Sequence, residues 1–119
     1  MTIGSAGGVE VTAYNTPDEV CVDTHVNGIS SGTCGADATD ANAIGMMSIG
    51  DGVLVGLISS LSTAVKVEIG DRPPVEARLI RHEEFDSTFF IVEAPERRTS
   101  ITVVVLRGDV ELGRQHFGD

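Results

Sequence analysis

The dipeptide Asn27-Gly28 constrains this chain more than any other feature. Both residues tolerate positive φ, and together they favour a two-residue type I′ hairpin turn. The flanks alternate as strands do: Val20, Val22, Thr24 and Val26 share one face, and Cys21, Asp23 and His25 the other. Such a turn opposes Val26 to Ile29 and, counted outward, His25 to Ser30 and Cys21 to Cys34. The cysteines then fall among opposed residues that exchange no backbone hydrogen bonds, where Cα atoms come closest and a cross-strand disulfide fits. A bulge at Gly32 would shift the register by one and leave the cysteines diagonal. Half of a metal site, or free core thiols, are the other readings. No CxxC is present, however, and His25, His82 and His116 are scattered. A Cys21–Cys34 disulfide implies an oxidising, extracytoplasmic compartment. In the loop-entropy model a ring of this size stabilises by roughly 3 kcal/mol.

The same punctuation continues along the chain. Strands are expected at about residues 8–14, 19–26, 53–58, 64–69, 74–81, 88–93, 100–106 and 110–114, bounded by Gly, Pro, Asn and Asp. Residues 35–51 read as a long small-residue loop with a brief strand at 46–49. Residues 1–7 and 115–119 are expected to fray. The Phe89-Phe90 pair leaves the facing of its strand ambiguous. No helical periodicity is found, no repeat, and no linker to a second domain. Residues 1–119 therefore read as one all-β domain, an antiparallel, immunoglobulin-like β-sandwich of about eight or nine strands, with a barrel as the alternative. Val11, Val22, Val55, Val67, Val75, Leu79, Phe89 and Val103 would fill two facing layers about 10 Å apart.

Charge narrows the partners. The net charge of −10 repels phosphate backbones and anionic lipid, so nucleic acid and direct membrane insertion are not expected. No apolar run reaches the roughly 18 residues of a membrane span. Trp is absent and Tyr occurs once, so stacking platforms for sugars are scarce. Residues 1–4 have neither the basic nor the apolar region of a secretory leader.

The second half has a cadence of hydrophobic spacing and turns: Gly52-Val53-Leu54-Val55-Gly56, Val65-Lys66-Val67-Glu68-Ile69-Gly70-Asp71-Arg72, Val75-Glu76-Ala77, Phe89-Phe90-Ile91-Val92, and Val103 to Leu106 with Arg107-Gly108-Asp109. With Cys34-Gly35 upstream, this resembles small extracytoplasmic domains of anchored or secreted actinobacterial proteins, over about residues 19–112. The resemblance implies a β-sandwich outside the cytoplasm and carries no catalytic residues.

Three clusters invite chemistry. Ser30, His25 and Asp23 can be drawn as a nucleophile, base and carboxylate on one sheet face, but a hairpin surface offers no oxyanion hole, and no G-x-S-x-G elbow is present. Asp37, Asp40 and Asp51, with Asn42 between, are the candidates for a calcium ion, although the EF-hand spacing is absent. Arg97-Arg98 is expected to pair with Glu93 and Glu96 rather than bind nucleic acid. The sequence points to no cofactor and no catalytic centre. It reads as a non-enzymatic extracytoplasmic domain for protein interaction or sensing, whose partner carries a basic patch. The alternatives are a structural assembly or decoration module of a phage or surface layer, and a small secreted hydrolase or ligand-binding protein using the His25 face.

Overall fold

A computed structural model describes residues 1–50, 52–93 and 100–117. Among the described residues it is all-β and antiparallel, without helix. The strands are β1 (Thr2–Ala6), β2 (Val9–Asn15), β3 (Val20–Val26), β4 (Ile29–Gly35), β5 (Ile44–Gly50), β6 (Val53–Ile58), β7 (Ala64–Ile69), β8 (Val75–Glu76), β9 (Arg78–Ile80), β10 (Thr88–Glu93), β11 (Ile101–Arg107) and β12 (Val110–Phe117). They form three four-stranded sheets: a meander β1-β2-β3-β4, a middle sheet β5-β6-β10-β9, and an outer sheet β12-β11-β7-β8.

The middle sheet sets the layering. All six residues of β6 are buried, and so are the first five of β10. Period-2 geometry divides these apolar runs between two cores. Val53, Val55, Leu57, Phe89 and Ile91 pack against Ile3, Val9, Val11, Ala13, Val20 and Val22 of the meander. Leu54, Ile58, Phe90 and Val92 pack against Val65, Val67, Ile69, Ile101, Val103 and Val105 of the outer sheet. Phe89 and Phe90 thus face opposite ways, one in each core. Phe85 closes an edge-to-face contact on Phe89, with ring centroids 4.9 Å apart.

Eight core residues were expected to fill two facing layers, but the meander adds a third layer and a second core. Val75 is 44% exposed rather than inward, because β8 is a two-residue edge of the outer sheet. Leu79 is only partly buried, against the second core. Residues 74–81 make two short strands in different sheets. Ala77 lies between them, buried, with its N–H donating to the Val65 carbonyl. Residues 2–6 do not fray: β1 pairs with β2, and Ile3 is buried. Residues 115–117 continue β12 and pair with β11. The brief strand expected at 46–49 is a full edge strand, β5.

Phe89→Ala and Phe90→Ala, one in each core, should each cost about 3–5 kcal/mol. Val75→Ala should change stability by less than about 0.5 kcal/mol. Urea unfolding of the three variants checks the layering: a mild Phe90→Ala would refute the second core.

Candidate functional site

The β3–β4 hairpin is built as the sequence dictates. Asn27 and Gly28 both take positive φ, 51° and 78°, and Val26 pairs with Ile29. The register runs without a bulge to Val20 opposite Gly35, and Cys21 faces Cys34. The two cysteines are bonded, with Cα atoms 4.0 Å apart. The disulfide joins unlike environments, since Cys21 is 1% exposed and Cys34 lies at the surface. β4 itself adds nothing to either core: its first six residues are exposed and Gly35 is half-buried. Side chains on both of its faces meet solvent, and Ile29 is 67% exposed. Among the described residues its far end rests on the middle sheet, where Thr33 Oγ1 lies 3.5 Å from Ser48 Oγ and Gly35 lies against Met46.

The outer face of this hairpin carries the polar cluster. His25 Nδ1 and Ser30 Oγ share a hydrogen bond of 2.6 Å, and His25 Nε2 and Thr12 Oγ1 share one of 3.0 Å. A neutral imidazole donates from one nitrogen and accepts at the other, so one hydroxyl accepts and the other donates. Asp23 does not hold the ring; Thr12 occupies the position a triad gives to its carboxylate. The expected Ser30–His25 contact is present, but the carboxylate needed to stabilise an imidazolium is not bonded to the ring. The arrangement is a hydroxyl–imidazole–hydroxyl chain that locks three strands in register. Asp23 instead leans toward Gly32, where an added Cβ would collide with Asp23 Oδ1.

Two carboxylates of the acidic loop are engaged in hydrogen bonds within the fold. Asp37 Oδ1 accepts hydrogen bonds from the Ala38 N–H at 2.9 Å and from the Ser87 hydroxyl. Asp40 Oδ1 accepts from Ser59 Oγ at 3.0 Å. These contacts pin residues 37–40 to the loops before β10 and after β6. Asp51, Arg97, Arg98 and Glu96 lie outside the described residues. Among the described residues no three His, Cys, Asp or Glu side chains are grouped to hold a metal. His116 bonds through Nδ1 to Thr102 Oγ1 at 2.8 Å, an exposed cross-strand contact.

Sequence reasoning passed over an open cleft of about 700 Å³ between the β1–β2 turn, the β7–β8 turn and the end of β10. Ile69, Val75, Ile91 and Val92 form its apolar walls, and Arg72 and Glu93 stand at its margin. Its walls come from all three sheets, so strand periodicity within any one segment gives no sign of it. No helix among the described residues is long and apolar enough to cross a membrane. Comparison with protein-family models, curated proteins and solved structures finds no match.

Mass spectrometry of non-reduced peptides should show Cys21 linked to Cys34. Removing both cysteines (Cys21→Ala with Cys34→Ala) should cost about 2–3 kcal/mol. The loss should leave a cooperative unfolding transition, because neither core includes β4. Two free thiols in oxidised protein would overturn the pairing.

Proposed function

We propose that this chain is a non-enzymatic, extracytoplasmic protein-interaction domain that presents the β3–β4 hairpin to a partner. The observation that carries this reading is the cross-linked, overhanging β4. A seven-residue strand that buries almost nothing yet is tied down by a disulfide has little role in the core. Its exposure fits a surface held in one shape for recognition, since a preorganised strand loses less entropy on binding. The disulfide supports an oxidising location.

The strand order supports an immunoglobulin-like reading of residues 44–117. The middle sheet follows the order A-B-E-D and the outer sheet G-F-C-C′, with β8 and β9 as C′ and D. On this reading the meander is an added layer on the A-B-E-D sheet. The resemblance to extracytoplasmic actinobacterial domains belongs to the same proposal.

A net charge of −10 favours a basic partner, and electrostatic steering makes association sensitive to salt. Interferometry against proteins encoded beside the gene should show association slowing as salt rises. Tight, salt-insensitive binding of a small apolar ligand would overturn the reading and point to the cleft beside β7 and β8. Hydrolytic activity abolished by His25→Ala would overturn it in favour of an enzyme.

A further inference from the structure

Each sheet has two edge strands, and an unprotected edge is a template for another chain. Among the described residues, five of the six edges are blunted. β8 and β9 are two and three residues long. The pairing of β1 breaks register between Thr2 and Gly4, and Arg78 Nη2 donates to the Ser5 carbonyl. β5 breaks register between Ile44 and Met47, and its Met46 N–H donates to the Ala36 carbonyl. β12 carries Glu111, Arg114 and His116 and pairs through an irregularity at Val105 and Leu106. Its Arg114–Glu111 bridge is exposed, and the Glu111 hydrogen bond raises the Arg114 pKa above its ordinary value.

β4 has none of these guards. It is seven residues long, pairs without a register shift, and contains no charge and no proline. The type I′ turn makes Val26 and Ile29 a hydrogen-bonded pair, so the pairs of Ser30, Gly32 and Cys34 are of the other kind. The N–H and C=O groups of these three residues therefore point away from β3. No backbone group among the described residues bonds to them. Their side chains share the outer face with Asp23 and His25, and the Asp23 carboxylate leans over Gly32 toward the open edge.

We propose, resting on the interaction reading above, that β4 accepts an extended strand of a partner protein by backbone pairing, with a lysine or arginine of that strand beside Asp23 across Gly32. A residue opposite Gly32 projects onto the outer face, and the absence of a side chain at Gly32 lets the Asp23 carboxylate reach across toward it. A second copy of this chain fits less well. Pairing about Gly32 would bring two Asp23 carboxylates toward each other in a chain that already carries −10.

The test is an NMR titration of the full chain at pH 7 with capped Thr-Val-Thr-Lys-Thr-Val-Thr and its Glu-centred counterpart. The Lys peptide should slow amide exchange at Ser30, Gly32 and Cys34, and should bind roughly three- to tenfold tighter than the Glu peptide. Asp23→Asn should erase that preference while the three amides stay protected. Methylating the peptide amides that face β4 should abolish binding; methylating the alternate ones should not. Equal affinity for both peptides, protection at another edge, no protection at millimolar peptide, or β4 self-pairing at pH 7 would each overturn strand addition. If a basic partner protein still binds with salt sensitivity, only this mode of binding fails. If that binding is also absent, the interaction reading fails with it.

Discussion

Burial of both faces of β6 and β10 is the constraint on which the rest of the architecture depends. An antiparallel sheet commonly leaves one face in water and reads as an alternating strand. Val53–Ile58 and Thr88–Glu93 read instead as nearly continuous apolar runs, and each needs a cover on two sides. The outer sheet supplies one cover and the meander the other. Strands β1 to β3 are therefore part of the core system: without them the face carrying Val55, Leu57 and Phe89 would lie open to water. The acidic loop serves the same layering. Asp37 and Asp40 tie the crossing from meander to middle sheet to Ser87 and Ser59, buried hydroxyls beside the central strands.

The sequence was informative wherever the determinant was local. Asn27-Gly28 carried the turn, the register and the opposition of Cys21 to Cys34, because a two-residue loop leaves no freedom between the strands it joins. The limits of β10 were readable as 88–93, and the inward faces of β2 and β3 followed from alternation. The third layer was not legible. Period-2 patterning tells which side of a strand is apolar, but in the middle sheet both sides are, and the Phe89-Phe90 ambiguity was the visible trace of that. Val75 was misplaced because its apolar character fits an inward strand position, whereas its exposure comes from where β8 ends a sheet. At the candidate site, the contact of His25 with Ser30 followed from register. Thr12 as the other partner did not, because Thr12 is opposed to Asp23 and reaches His25 only diagonally across the β2–β3 pairing.

The disulfide has its place in this scheme because β4 lacks what holds the other long strands. They place side chains in or against a core, Leu112 and Phe117 in the case of β12; β4 has one paired neighbour and a small contact with β5. A cross-link to Cys21, itself buried, fastens the exposed strand to the core through a single bond. The His25 bridge to Ser30 and Thr12 adds a second tie across the same strands. The side chains of Ile29 and Ser31 can therefore change with little effect on packing, whereas a Cβ at Gly32 or Gly35 would meet Asp23 or Met46.

An uncharged, unbulged edge strand would ordinarily pair with its own copy, so leaving β4 open requires another safeguard. Net charge provides it. Copies that each carry −10 repel before their edges meet, and Asp23 places part of that repulsion at the seam. The safeguard acts over a distance, whereas the Glu111 and Arg114 side chains on β12 act at the edge itself. It therefore weakens with conditions that spare a local guard. As pH falls toward the sequence pI of about 4.5, carboxylates protonate, net charge approaches zero and the repulsion disappears, while the backbone groups of Ser30, Gly32 and Cys34 are unchanged. Light scattering should accordingly show reversible self-association near pH 4.5 that is absent at pH 7. Ser31→Lys, a charge on an exposed residue of the edge strand, should suppress it. Self-association that persists undiminished in Ser31→Lys would mean that another surface mediates it, and that charge is not what keeps β4 single.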